Sequence, residues 1–534
     1  MIRSLKNTLA PINRIPPEVL TLIPNSWKKN RKDKLVIRLT HVCRAWRDVF
    51  LSHSSLWTNF YCEDPDKTTV YLERSKISPI NLWLEREDGL PSDDPFLKLI
   101  PGAIGRLKSL SVQVPWDTLK DITDHLSWPA PLLERLDIET YHGPGLPHNP
   151  TLSPTLFDGD LSSLRKLRLE SVRTELPWRN MVNLTSLTLG RMLSDEVAIG
   201  HLLDFFENAP HLRVINLHSA TPTSGARTDR LVSLTCLKRM EITGDEPPTF
   251  LLDHLLVPAG ANLTIESTSN APLIEDNLPR SLDNLKNLLD FTEINLFIST
   301  YLLQMQFTGP NGEVLVKPSA TGVEPTNLVL ESLARFDTSK TQWLNISHTK
   351  PPSGDLPYRM LLPMINLHTL TLARCEDSMA FIRALHPDPN PSDVVVCPKL
   401  EELVFDFHAK WRGVNMRVNM KSVIAMVAAR ASRGAKLRTV KITDEFGQLY
   451  PGDILELTNH VLRVEHGPEH GGGDQDSDDS DVVSDDSDDD SDDSAGGDDD
   501  GDDSEDDGDD SDDDSDDSDD DSDDDSDDSD EEYY

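Results

Sequence analysis

A short apolar phrase, Leu-x-x-Leu-x-Leu, recurs along the middle of the chain and limits the folds that this sequence can adopt. The starts of the first six phrases lie 20 to 31 residues apart. Apolar and polar residues alternate at the end of each phrase, which is typical of a strand with one buried side. With Ile, Val, Met or Phe replacing some leucines, the phrase occupies residues 107–112, 133–138, 164–169, 184–189, 212–217, 237–242, 367–372, 400–405 and 437–442.

This period is that of a leucine-rich repeat, in which each unit supplies one strand and a helix or looser connector. One unit cannot bury its apolar side alone, so neighbouring units must stack. We therefore predict an α/β fold over residues 61–466, an irregular solenoid of short parallel strands with helices or loops outside. An unrelated α/β domain rich in the same phrase is the alternative.

The sequence also indicates elements between the phrases. Residues 262–347 are poorly phased, and their connectors cannot be identified. Helices are expected at 68–74, 201–208, 380–385 and 422–430, and further strands at 80–84, 291–298, 302–307 and 343–346.

Residues 12–58 carry a different pattern, that of a small helical hairpin. Pro16 and Pro17 open a helix, because the backbone N–H groups that they lack have no partner in the first turn. Glu18 complements the helix dipole there. Pro24 ends the short apolar face of this helix. A second, amphipathic helix is predicted by apolar residues at helical spacing, namely Leu35, Leu39, Val42, Trp46 and Val49.

Three elements of this hairpin resemble the F-box, the helical module that docks on the Skp adaptor of cullin-based ubiquitin ligases. They are Ile15-Pro16-Pro17-Glu18-Val19-Leu20, Val42-Cys43-Arg44-Ala45-Trp46-Arg47 and Ser55-Leu56-Trp57, in the family's order and separation. They look most like F-box proteins of mushroom-forming fungi. Ile15 replaces the usual Leu, and Pro24 with a Lys/Arg-rich connector shortens the first helix.

The resemblance implies an F-box domain at residues 12–60 that binds the Skp adaptor. Some of its residues would contact the adaptor or directly support the contact, and others would pack the hairpin. The first group is Ile15, Pro16, Glu18, Leu20 and Val42, and the second is Cys43, Trp46, Leu56 and Trp57.

The net charge of −42 is concentrated at one end of the chain. From Asp474 onward there are 38 acidic residues and no Lys or Arg, so the preceding residues hold 55 acids against 51 bases. Like charges with very few apolar residues predict a disordered acidic tail at 467–534, and a flexible N-terminus is expected at 1–11. Serines followed by an acid three residues on resemble casein-kinase-type acceptor sites: Ser487, Ser504, Ser511, Ser518, Ser522 and Ser529.

Three roles for the tail stay open: a solubilising bristle, a lure for basic partners such as histones, or association with basic patches of the same chain.

Several classes of function find no support in the sequence. There is no nucleotide-binding loop, no metalloprotease motif and no serine-hydrolase elbow, so we expect neither an enzyme nor a cofactor or metal site. The five cysteines are scattered and odd in number, which argues against a disulfide framework. Without a signal peptide or membrane span, an intracellular protein, nuclear or cytoplasmic, is expected. No basic face suggests direct nucleic-acid binding.

The function expected from the resemblance is that of a substrate receptor in a Skp–cullin–F-box ubiquitin ligase, acting in ubiquitin-dependent degradation. The unknown protein substrate would bind the concave side of the strand row. Outward residues there are Arg135, Asp137, Lys166, Arg168, Asn216, His218, Arg239 and Glu241. The alternatives are a repeat scaffold or acidic-tail chaperone for basic nuclear proteins, and an F-box protein that binds the adaptor without cullin.

Overall fold

The computed structural model describes most of the chain before residue 467. The described residues are 15–26, 32–62, 64–87, 89, 94–141, 149–174, 178–192, 199–222, 229–245, 247–267, 277–299, 303–318, 329–330, 332–348, 354–373, 375, 378–387, 394–406, 419–443 and 450–466. The chain divides into two units, Met1–His470 and Gly471–Tyr534, and every described residue belongs to the first. The predicted flexible N-terminus, the acidic tail and its six candidate serines lie outside the described residues.

A large sheet of short strands dominates the described residues. Its strands, with two small pairs beside it, are β1 Asn59–Tyr61, β2 Ile80–Glu85, β3 Leu107–Pro115, β4 Arg135–Tyr141, β5 Thr151–Leu152, β6 Lys166–Glu170, β7 Arg173–Thr174, β8 Ser186–Gly190, β9 Val214–His218, β10 Val232–Ser233, β11 Arg239–Gly244, β12 Leu255–Leu256, β13 Asn262–Ser267, β14 Glu293–Ile298, β15 Leu303–Thr308, β16 Glu313–Lys317, β17 Trp343–His348, β18 Thr369–Ala373, β19 Glu402–Asp406, β20 Thr439–Thr443 and β21 Arg463–His466.

Helices connect many of these strands. The α-helices are α1 Pro17–Leu20, α2 Lys32–Thr40, α3 Arg44–Ser52, α4 Pro65–Ser75, α5 Pro95–Ala103, α6 Trp116–His125, α7 Ile199–Asn208, α8 Thr249–Leu252, α9 Leu356–Leu361, α10 Met379–Leu385, α11 Met420–Ser432 and α12 Pro451–Thr458. Short 3-10 helices are Ile23–Ser26, Ser54–Trp57, Ile104–Arg106, Leu156–Gly159, Trp178–Asn180, Leu282–Asn284, Lys286–Leu288, Leu333–Arg335 and Thr338–Lys340.

Two parallel blocks make up most of the sheet. In the N-terminal block, the strands pair in the order β1-β2-β3-β4-β6-β8-β9-β11-β13. In the C-terminal block, they pair in the order β17-β18-β19-β20-β21. Each of the nine recurring phrases supplies one strand, and its leucines face the helices, where they are buried. The predicted α/β repeat fold is confirmed.

An antiparallel insert joins the two blocks within the poorly phased stretch. β16 pairs in parallel with β13, and β14 pairs in parallel with β17. Between them, β15 is antiparallel to both β14 and β16, so the insert runs backwards across the sheet. Sequence periodicity predicts β14, β15 and β17 but misses β13 and β16. Gly260 and Asn311 stand at the leading-leucine positions of the β13 and β16 phrases, so the pattern is broken there.

A left-handed residue ends three consecutive strands of the N-terminal block. Ser171, Arg191 and Ser219 follow β6, β8 and β9 with φ angles of 56°, 52° and 49°. Their N–H groups still donate to the neighbouring unit: that of Ser171 to the Gly190 carbonyl at 2.9 Å, and that of Arg191 to the His218 carbonyl at 2.6 Å. Each strand therefore turns away from the sheet without leaving its last backbone donor unpaired.

Candidate binding surfaces

The N-terminal helical segment is built around a turn between α2 and α3. The Arg47 side chain reaches back across the turn, and its Nε donates to the Thr40 carbonyl at 3.0 Å. Cys43, half-buried, stands in an extended conformation directly before α3. These features fix residues 41–43 as a tight corner, and Val42 lies at this corner with 56% of its surface exposed.

Several apolar side chains of this segment point to solvent. Val19 and Leu22, three residues apart in one turn, are 48% and 60% exposed, and Ile37 on α2 is 37% exposed. Pro16 and Glu18 are exposed beside them in sequence. Isolated exposed apolar residues are ordinary, but four within 24 residues of chain are typical of a surface that a partner covers. We call Val19, Leu22, Ile37 and Val42 the exposed apolar set.

Other residues of the resemblance lie inside. Leu20, Trp46, Leu56 and Trp57 are buried, and Ile15 and Cys43 pack partly buried against the same core. Leu20 was expected to contact or support the adaptor surface, and its burial is consistent only with support. The segment therefore separates into a buried set that holds the fold and an exposed set available to a partner.

Trp57 ties the helical segment to the first repeat. Its Nε1 donates to the Phe50 carbonyl at 2.8 Å, and the Tyr71 ring on α4 meets it edge-on at 5.1 Å. The Arg74 guanidinium covers its ring at 4.3 Å. Because β1 also pairs directly with β2, the helices and the sheet share one continuous core. Burying a tryptophan this completely stabilises the junction by about 3 kcal/mol.

The outward side of the N-terminal block carries an ion-pair network. Arg168 on β6 lies at its centre, with its Nη2 2.8 Å from Glu170 and 3.5 Å from Glu139, and its Nη1 3.9 Å from Asp137. Arg135 lies 3.7 Å from Asp137, and Arg191 lies 3.6 Å from Glu139. The three carboxylates are the more buried partners, with side-chain exposures of 10 to 13%.

The surroundings of this network shift its pKa values. Burial raises the pKa of Asp137 above its ordinary value, although Arg168 and Arg135 oppose the rise. Burial, followed by the charge of Glu170, also raises the pKa of Glu139. Burial alone would lower the pKa of Arg168, but the carboxylates around it outweigh burial and raise it. With all six groups ionised, the charges of the three arginines and the three carboxylates balance.

The predicted substrate-face residues fall into separate groups. Arg135, Asp137 and Arg168 meet in the network, and Lys166 and Arg239 are exposed at the N-terminal ends of their strands. Asn216, His218 and Glu241 lie half-buried on β9 and β11, where His218 Nδ1 pairs with Thr243 Oγ1 at 2.8 Å. These residues carry both signs of charge, and the signs are sorted along the strand direction.

Sequence reasoning missed Glu139, Glu170 and Arg191, which complete the network. Glu139 and Glu170 each lie one position beyond the recurring phrase, two positions after the chosen residues Asp137 and Arg168 on the same strands. The alternation of side chains along β4 and β6 could have identified both, because positions two apart share a face. Gly190 carries no such signal, yet a Cβ atom there would lie 2.9 Å from Glu170 Cγ.

Other kinds of site find no support within the described residues. No group of three or more His, Cys, Asp or Glu side chains there could hold a metal ion. No described helix is long and apolar enough to cross a membrane.

Comparison with known proteins leaves the chain without an assigned family. No family model and no curated protein matches it. Among solved structures it is similar to a chain from the crystal structure of the Rad7 and Elc1 complex in yeast, at 13% identity, over 84% of this chain and 95% of that one. The TM-score of 0.23 is too low for that likeness to support a conclusion about fold or function.

Proposed function

We propose that this protein is a substrate-recognition subunit of a Skp–cullin–F-box ubiquitin ligase. The observation that carries the proposal is the division of the F-box-like segment into a buried set and the exposed apolar set. The motif positions Leu20, Trp46 and Trp57 are buried in the core, whereas Val42 and the other members of the exposed apolar set stay exposed. Such an interface gains most of its binding energy from a few apolar anchors that become buried.

The proposed mechanism is proximity. The adaptor and cullin would bring a charged ubiquitin-conjugating enzyme close to a substrate held on the repeats, and the transfer would gain from a raised effective concentration. In this proposal the chain supplies no reacting residue. The rigid junction at Trp57 supports such a role, because it would hold the substrate surface at a fixed orientation to the adaptor.

The test is capture of the Skp adaptor and cullin from lysate by the immobilised full-length chain, detected with specific antibodies. The informative variants are Val42→Asp and Leu22→Asp, since both side chains are exposed and their change should spare the fold. Ile77→Asp is the matched control, because Ile77 is 91% exposed outside the F-box-like segment. Leu20 is unsuitable, since a charge at this buried position would test folding instead of binding.

We expect the wild-type chain and Ile77→Asp to capture adaptor and cullin equally, and each F-box variant to lose at least tenfold. A chain ending at Gly467 should bind like the full chain. Undiminished capture by both F-box variants would contradict the proposal. Capture of basic proteins alone, and only by chains that retain residues 467–534, would favour the acidic-tail chaperone. Capture of adaptor without cullin would favour the F-box protein that acts outside the ligase.

A further inference from the structure

Two adjacent rows of outward positions cross the N-terminal ends of strands β3 to β11. The first row is continuous in the backbone: each N–H group donates at 2.8 Å to the carbonyl of the preceding member. Its members are Lys108, Glu134, Arg165, Thr185, Arg213 and Lys238. The second row follows from the strand register and contains Ser109, Arg135, Lys166, Ser186, Val214 and Arg239.

Basic residues occupy four of the six positions in the first row and three of the six in the second. We define the basic band as Lys108, Arg165, Lys166, Arg213, Lys238 and Arg239, all of which are exposed. Glu134 is the single acid in the two rows, and it lies 3.6 Å from Lys108.

Most of the band's charge is not neutralised locally. In the part of the chain that the structure describes, no carboxylate lies within ion-pair distance of Arg165, Arg213, Lys238 or Arg239. The buried acids Asp137, Glu139 and Glu170 belong to positions further along their strands and are held by Arg168. The N-terminal edge of these strands therefore carries an excess of positive charge.

The repeat architecture does not require this band. In the C-terminal block, the equivalent first row is Gln342, His368, Glu401 and Arg438, again joined through the backbone. There Arg438 lies 3.9 Å from Glu401, so the row is nearly neutral. A row that is basic in one block and neutral in the other indicates a local role for the charge.

We propose that the basic band binds an extended acidic segment of a partner protein. Strands lie about 4.8 Å apart, so the band from β3 to β11 spans about 24 Å, the length of about seven extended residues. Alternate side chains of an extended segment recur about every 7 Å, so about four Asp or Glu side chains of such a segment could face the band. No residue of either row is aromatic, whereas sites for single-stranded nucleic acid add aromatic stacking to positive charge. The proposal rests on the proposed function, because it makes the acidic partner a substrate of the ligase, and it deepens that function by naming a class of substrate.

The test is a fluorescence-anisotropy titration with a labelled decapeptide of alternating Asp and Ser, at low and at moderate salt, without adaptor. The chain is used in full length and ending at Gly467, a form that removes the 38 acidic residues after position 473 from the titration. Arg213→Glu/Lys238→Glu reverses two charges at the β9–β11 end of the band. Lys436→Glu/Arg438→Glu is the matched control, since it changes the net charge equally at two exposed positions of the C-terminal block, Arg438 in its first row and Lys436 two residues before it.

We expect the peptide to bind at least one form of the chain. Its affinity should fall at least tenfold in the band variant and less than twofold in the control, and it should fall with added salt. Equal losses in both variants would reduce the effect to net charge and overturn the proposal, as would the absence of binding to either form. Tighter and equally band-dependent binding of a single-stranded oligonucleotide of the same charge would also overturn it. Because the adaptor is omitted, none of these results bears on adaptor capture.

Discussion

The N-terminal and C-terminal blocks of the sheet share one construction and differ in where they keep their charge. Both are parallel, and both bury the leucines of the recurring phrase against helices. The N-terminal block carries its charged groups on the outward side, as the Arg168 network and the basic band. The C-terminal block instead buries a guanidinium on the helix side: Arg430 on α11 has no exposed surface.

Arg430 acts as a clamp between units. Its Nη1 donates to the Val396 carbonyl at 2.7 Å and its Nη2 to the Cys397 carbonyl at 2.8 Å. Nη1 also lies 3.4 Å from the Leu385 carbonyl at the end of α10. Burial lowers the pKa of Arg430 and raises that of the adjacent Cys397 thiol to about 12. This arrangement leaves no accessible functional group, so it serves the fold.

The comparison indicates how a repeat array divides its tasks. The helix side must satisfy buried groups, and the outward side is free to vary because solvent replaces lost partners. Charges placed outward, as in the N-terminal block, are available to a partner. In the proposed function, recognition therefore lies in the N-terminal block, next to the F-box-like segment, whereas Arg430 serves the fold of the C-terminal block.

The largest expected effect is that of Arg430→Met, which should lower the free energy of unfolding by about 3 to 5 kcal/mol, because it leaves buried carbonyls without donors. Arg383→Met on α10 is the control, since that side chain is exposed and should change stability by less than about 0.5 kcal/mol. Urea unfolding measures both. Hydrogen exchange should place the loss in the C-terminal block, and an equal loss in both blocks would contradict their separate roles.

A smaller effect is expected from Gly190→Ala in the N-terminal block. The added Cβ atom would meet Glu170 at 2.9 Å and push it away from Arg168, at a cost of about 1 to 2 kcal/mol. Gly200→Ala on α7 has no atom within 4 Å of its new Cβ and should stabilise the protein by about 0.5 to 1 kcal/mol. Thermal unfolding of the pair tests the packing of the network, and similar shifts in both variants would argue against it.

The smallest effect concerns pH. The pKa of Asp137 is raised by burial, so the folded state holds its proton more tightly than the unfolded state, and stability from this group is lost as pH rises from about 4. Asp137→Asn should remove this loss. The Tm of the variant minus the Tm of the wild type should rise by a few degrees from pH 4 to pH 7. A Tm difference that moves the other way would show that the ion pairs of Asp137 outweigh its burial.

Sequence periodicity predicted the repeats because the same apolar positions of the phrase are buried in each unit. It predicted α7, α10 and α11 within two residues at each end, since their apolar faces meet the same core. It could not predict the order of β14 to β16, because strand pairing across the insert depends on contacts between residues far apart in sequence. The network was partly visible: Arg135, Asp137 and Arg168 stand in the phrase, but their partners become neighbours only through strand register.

The basic band likewise could not be predicted from the sequence. Arg165, Lys166, Lys238 and Arg239 are adjacent pairs in the sequence and give no sign that they share an edge. Only the parallel register brings them together with Arg213. The division of the F-box-like segment into buried and exposed residues likewise needed the packing of Trp57 on α4.

The most direct test of the central claim measures adaptor binding and acidic-peptide binding on the same two variants. The account predicts that Val42→Asp loses the adaptor and keeps the peptide, and that Arg213→Glu/Lys238→Glu keeps the adaptor and loses the peptide. If each variant loses both ligands while remaining folded by circular dichroism, or if neither loses either ligand, then the helical segment and the N-terminal block are not two separate binding surfaces.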